Sequence, residues 1–91
     1  MARHAILVID MLNDFVGEKA PLRCPGGETI IPDLQRLFKW VRGREGDDVQ
    51  LVFIEEAHRE NDADFRVRPV HAVKGTWGSD FIPELYPEKG E

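Results

Sequence analysis

One cysteine, Cys24, stands among 91 residues, and no apolar run approaches the roughly 20 residues of a membrane span. A lone cysteine excludes an internal disulfide. Met1-Ala-Arg-His4 leads straight into a strand with no signal-peptide layout, so the expected location is the cytoplasm. Basic charge is also scarce, with 12 Lys and Arg against 17 Asp and Glu, a net charge of −5. That balance argues against nonspecific nucleic-acid binding, which needs a basic face, and against docking on an anionic membrane. There is no repeat, low-complexity tract or interdomain linker. The glycines of Pro25-Gly-Gly27 lack the spacing and the Lys-Ser/Thr pair of a phosphate cradle and read as turn residues.

The length permits one small domain, residues 1–91, with a thin core. Ala5-Ile-Leu-Val-Ile9 is apolar on both faces, which suits a buried parallel strand. It ends abruptly on Asp10, followed by Asn13-Asp14. In open α/β sheets the ligand crevice lies beyond the carboxyl ends of the strands, so a carboxylate there is positioned for chemistry. The plainer alternative is a loop cap. Residues 11–28 form a turn-rich loop. Ile30, Ile31, Leu34, Leu37, Phe38 and Val41 then recur at three and four residues, predicting a helix over Thr29–Arg42 with Pro32 in its first turn and Gly43 beyond its end. Val49–Ile54 reads as a second strand. The result is a right-handed β-α-β unit of Rossmann-like α/β class with parallel strands. From Glu55 onward only Ser79–Leu85 suggests a helical turn, and Pro, Gly and charge make the tail a poor cover for the sheet. One helix shields one face, so Leu7, Val8, Val52 and Ile54 supply more apolar surface than it can bury. An isolated monomer is therefore expected to be unstable.

The segment Val8-Ile-Asp-Met-Leu-Asn-Asp-Phe15 resembles the opening motif of the isochorismatase-like cysteine hydrolases, among them nicotinamidases and N-carbamoylsarcosine amidases. Further matches follow in order: Pro25-Gly-Gly27, an acidic residue and His58 after the second strand, Pro69-Val-His71, Lys74-Gly-Thr-Trp-Gly78 and Phe81-Ile-Pro-Glu-Leu85. The resemblance spans nearly all 91 residues. It implies the N-terminal β-α-β part of a three-layer hydrolase fold, acting on a small amide C–N bond. Such enzymes use an Asp after the first strand, a later Lys, and a Cys nucleophile in the second half. Asp10 matches the first, as acceptor of the thiol proton. The other two have no counterpart, since the chain stops just before the strand that leads to the Lys. Cys24 and Lys74 read instead as a small turn residue and a solvated lysine. Asp10-Met-Leu-Asn13 also begins like a haloacid-dehalogenase phosphatase, but Leu12 stands where a second Asp is required.

In the nicotinamidase branch an Asp-x-His pair and a later His hold a divalent metal. The matching positions are Glu56, His58 and His71, all competent for zinc, iron or manganese. A further His of that branch is replaced by Asp62. The alternative for His58 and His71 is hydrogen bonding within a polar loop. Nicotinamidases carry a Trp three residues before the later His. Here Arg68 takes that position, which suits a substrate bearing an acid group, or else is a surface arginine beside Arg66. Phe15 would line the substrate pocket, or staple the loop to the core. The expected partners are a small amide substrate and either a second copy or a complementing C-terminal half. Rival readings are a noncatalytic binding or scaffold subunit and a truncated product of the same fold.

Overall fold

The computed structural model describes residues 3–46 and 48–91. Strand β1 (His4–Ile9) and strand β2 (Val49–Ile54) pair in parallel, in the register Ala5 to Gln50, Leu7 to Val52 and Ile9 to Ile54. Between them lies helix α1 (Ile31–Arg42). The two apolar runs and the helical spacing thus form the β-α-β unit that the sequence leads one to expect. The helix begins two residues later than its apolar spacing suggests. A 3₁₀ turn, Gly27–Ile30, precedes it, and the Thr29 hydroxyl donates to the Gly26 carbonyl at 2.6 Å instead of capping α1. Pro32 sits in the first turn, where its missing N–H leaves no bond unmade. No helix among the described residues is long and apolar enough to cross a membrane.

The tail is more structured than its composition suggests. Short 3₁₀ turns form at Ala63–Arg66, Trp77–Ser79 and Pro83–Leu85. Ile82 and Leu85 join Val8, Phe38, Val41 and Leu51 in the main core. Phe81 packs with Leu12 and Ala72 in a second cluster. Phe53 bridges the two clusters, meeting Phe38 edge-on at 5.6 Å and Phe81 at 5.4 Å between ring centroids. All of this lies on the α1 side of the sheet. Val8 belongs to that side and is 4% exposed, so it does not contribute to the uncovered face. Side chains alternate along a strand, which puts Leu7, Ile9, Val52 and Ile54 together on the opposite face. There they remain 54%, 55%, 38% and 40% exposed.

The C-terminal residues are strapped to the end of α1. Arg42 donates to both carboxylate oxygens of Glu91, at 2.7 and 3.0 Å, and to the Tyr86 carbonyl at 3.2 Å. Chiefly through that hydrogen bond, Arg42 holds the Glu91 carboxyl below its usual range, against the opposing effect of burial. A depressed folded-state value contributes stability above the unfolded value, and that stability is lost as pH falls through the folded one. Glu91→Gln should therefore flatten the acid limb of a stability profile below about pH 4.5. The expected difference is about 0.5 kcal/mol after solvent screening. Urea unfolding at pH 7 and pH 3 measures it; identical acid limbs would refute the strap.

Candidate active site and metal centre

β1 gives up its extended conformation at Asp10, whose φ of 59° is left-handed. Asp is among the few non-glycine residues that tolerate this region. The Asp10 N–H donates to the Ile54 carbonyl at 2.9 Å, so the kink falls where the parallel pair ends. The carboxyl group therefore stands at the C-terminal edge of the sheet. Burial first, and then the charge of Glu56, push Asp10 above the usual carboxylate range; a backbone N–H of Glu56 opposes them.

The next polar residues of the opening motif have a different task. Buried Asn13 donates from Nδ2 to the Trp77 carbonyl at 2.7 Å. The Asp14 N–H donates to the Gly78 carbonyl at 3.1 Å, and Asp14 Oδ2 accepts the Ala72 N–H at 2.8 Å. These bonds clamp the tail against the first loop. Ala72 itself has a left-handed φ of 47°. Beyond β2, the His58 N–H donates to the Ala72 carbonyl at 2.8 Å and the Lys74 N–H to the His58 carbonyl at 2.9 Å. This short parallel bridge brings the loop of His71 beside that of His58.

Ligating atoms of Glu56, His58 and His71 all lie within 4.8 Å of one another. His58 Nδ1 is 3.0 Å from Asp62 Oδ2, and His71 Nδ1 is 2.7 Å from the Pro69 carbonyl oxygen. A carbonyl only accepts, so His71 Nδ1 carries the proton and its Nε2 presents a lone pair. The Asp62 carboxylate fixes His58 in the same way. Both lone pairs then face acceptors: Glu56 Oε1 is 3.0 Å from His58 Nε2, and Glu56 Oε2 is 3.7 Å from His71 Nε2. His58 Nε2 is buried with no hydrogen-bond partner. Acceptors facing acceptors in a protected site are stable only around a cation, either a proton or a metal. The proton solution shows in His58, which is raised above its ordinary value chiefly by Asp62 and then by Glu56, against burial. Asp62 is correspondingly lowered by His58 and by the Asp64 N–H. The metal solution fits the same donors, two imidazole nitrogens and a carboxylate, each with its remaining polar atom tied back or free to close in.

The structure thus brings Glu56, His58 and His71 together and sets Asp10 against Glu56. Phe15 lies 5.7 Å from the His71 ring and, with Asp10, lines an open depression of about 310 Å³. Cys24 stands on the wall of the same depression, exposed. Arg68 is exposed, donates to Asp64 at 2.9 Å and is not among the residues lining this depression. Asp62 does not face the cluster as a stand-in for a further metal-binding His; its carboxylate is spent on His58. Asp64 faces it instead, with Oδ2 3.9 Å from His71 Nε2. Two other residues take structural roles in the site that the sequence did not assign them. Phe65 packs 5.2 Å from the His58 ring and 5.4 Å from the His71 ring, and Asp14 anchors the His71 loop from 58 residues away. Phe65 has no local sequence signal, and Asp14, though part of the opening motif, gives no local sign of its contact with Ala72. Trp77 is largely exposed and covers neither the site nor the sheet.

A model of the isochorismatase domain family matches residues 4–91. The chain is 35% identical over 94 residues to a probable inactive nicotinamidase of Arabidopsis thaliana, covering 89% of this chain and 44% of that protein. It is 31% identical over 85 residues to N-carbamoylsarcosine amidase of an Arthrobacter species, covering 93% of this chain and 30% of that one. A solved isochorismatase-like hydrolase from Alkaliphilus metalliredigens superposes with a TM-score of 0.94 at 86% identity, over 99% of this chain and 50% of that structure. The pyrazinamidase of Pyrococcus horikoshii, solved in complex with zinc, superposes with a TM-score of 0.77 at 28% identity, over 88% of this chain and 45% of its own. The chain spans half or less of the length of each.

Proposed function

The chain belongs to the isochorismatase domain family, and from that premise we propose that it forms the Asp- and metal-bearing half of a cytoplasmic hydrolase that cleaves a small amide C–N bond. The observation that carries this reading is the placement of Asp10 at the end of β1 against the Glu56, His58 and His71 cluster. A carboxylate lifted by burial is a better proton acceptor near neutral pH than a solvated one. In this role Asp10 takes the proton of a nucleophile that these 91 residues do not supply. Phe15 flanks the substrate from the depression wall. Arg68, now held by Asp64, would pair with a substrate carboxylate, which favours N-carbamoyl amino acids over nicotinamide. Glu56, His58 and His71 would hold zinc, iron or manganese, which supplies Lewis-acid polarisation of a substrate carbonyl.

Ammonia release from N-carbamoylsarcosine and from nicotinamide tests the proposal. The 91-residue chain alone should be silent. Co-expressed with the part of the Alkaliphilus relative that it does not cover, it should turn over the N-carbamoyl substrate, and Asp10→Asn should abolish that turnover. Turnover by the chain alone that disappears in Cys24→Ser would overturn the assignment. A noncatalytic role is the second reading, favoured by the relative named as inactive. It predicts no turnover in either preparation.

A further inference from the structure

We propose that Asp64 is a carboxylate held in reserve: Arg68 restrains it beside the Glu56, His58 and His71 cluster, and an anion that takes Arg68 releases it to a cation bound there. Cation and anion then bind cooperatively, through one shared side chain. The proposal rests on the reading of Arg68 as the seat of a substrate carboxylate, and its test reads binding alone.

The 3₁₀ turn Ala63–Arg66 places the two residues. Asp62, its N-cap, accepts the Asp64 N–H at 2.9 Å, and the Asp64 carbonyl accepts the Val67 and Arg68 N–H groups at 3.1 and 3.0 Å. Arg68 therefore stands one turn beyond Asp64, and its Nη1 donates to Asp64 Oδ1 at 2.9 Å. The turn is pinned to the cluster at two points. Asp62 Oδ2 lies 3.0 Å from His58 Nδ1, and the Phe65 ring packs against both imidazoles. Asp64 thus has one oxygen on an arginine and the other, Oδ2, toward His71 Nε2. Asp62 cannot take that part, because the Asp64 N–H engages its Oδ1 and His58 its Oδ2.

His71 is 2% exposed, and its Nε2 presents a lone pair. Glu56 Oε2 at 3.7 Å and Asp64 Oδ2 at 3.9 Å face that lone pair, both beyond hydrogen-bond distance. Two metal bonds of about 2.0–2.2 Å each span gaps of that size. Asp64 is therefore within reach of a cation that His71 holds, but it is not free. The guanidinium draws on the charge the carboxylate can offer and sets a second positive charge near the cation. The restraint is modest. The side chains of Arg68 and Asp64 are 59% and 23% exposed, and pairs in such positions are worth little. A buried pair would lock the donor away, whereas a weak, half-exposed one can be exchanged. Asp64 keeps its place through its backbone bonds when Arg68 leaves, and the guanidinium fork suits an incoming carboxylate as well as it suits Asp64.

A double-mutant cycle in zinc affinity, read by competition with a chromophoric chelator, tests this. Arg68→Gln should tighten zinc by about two- to fivefold, the worth of an exposed ion pair. Asp64→Asn should itself weaken zinc, and in that background Arg68→Gln should change nothing. Arg66→Gln removes the same charge two residues away and should leave the affinity unchanged. All these variants should retain the far-ultraviolet spectrum. N-carbamoylsarcosine should tighten zinc in the parent chain by the same factor as Arg68→Gln, and by linkage zinc should tighten N-carbamoylsarcosine equally. Dimethylurea, its counterpart without the carboxylate, should have no effect, and N-carbamoylsarcosine should have none on Arg68→Gln. Zinc weakened by Arg68→Gln would overturn the proposal, since the arginine would then support the donor and not restrain it. So would a gain that persists in Asp64→Asn, which would be bare charge repulsion. An intact cycle with zinc indifferent to N-carbamoylsarcosine would overturn the anion trigger and the reading of Arg68 together. Absent amide turnover with both binding results intact would overturn the hydrolase reading alone.

Discussion

Gly78→Ala should unfold the region that carries His71. Gly78 is buried against Asp14, and a Cβ at this position would overlap the Asp14 carboxylate itself. The carboxylate cannot simply swing aside. It accepts the Ala72 N–H, while the Asp14 N–H holds the Gly78 carbonyl. Moving it strands a buried amide beside a residue already in left-handed conformation. Overpacking plus the lost charged hydrogen bond should cost about 2–4 kcal/mol. For a domain of this size that lowers Tm by roughly 10–20 °C. Gly27→Ala is the comparison, because its Cβ meets Cys24 Cβ at an ordinary 3.6 Å. That variant should change stability by less than about 1 kcal/mol. Thermal unfolding of the two variants decides the matter, and equal midpoints would refute the clamp.

Zinc affinity should collapse in His58→Ala, by more than about 100-fold, since one of three donors is gone. The more discriminating variant is Asp62→Ala. Asp62 is not among the three donor residues, yet its carboxylate fixes the tautomer and orientation of His58. Loss of such an outer partner typically weakens metal binding by about 10–100-fold. Competition with a chromophoric chelator gives both constants. An Asp62→Ala variant that binds as tightly as the parent would show that His58 needs no second partner.

The β-α-β unit was legible because its signals are local. Two continuous apolar runs and one stripe at helical spacing declare their elements without help from the rest of the chain. The two strands and the helix C-terminus fall where those signals end. The helix start shifted because Thr29 bonds back to Gly26, a choice between two local hydrogen bonds that spacing does not reveal. The tail was not legible, because its order comes from contacts made far along the chain. Asn13 reaches Trp77, and Asp14 reaches Ala72 and Gly78. Glycine at position 78 is required by the Asp14 side chain 64 positions away, which nothing local to it reveals. The metal trio was found through resemblance to relatives. Its outer partners were not, because Asp62 and Asp64 are two residues apart and only the local 3₁₀ turn decides which of them faces His71.

X-ray absorption at the zinc edge, on the chain loaded with one equivalent of zinc, tests the central claim most directly. Glu56, His58 and His71 as ligands predict two imidazole nitrogens at about 2.0–2.1 Å and carboxylate oxygen at about 2.0–2.2 Å. The imidazole contribution should fall from two nitrogens to one in His58→Ala. A sulfur shell at about 2.3 Å would place the ion on Cys24, and an all-oxygen shell would place it on surface carboxylates. Either result would contradict a metal centre built from these three residues beside Asp10.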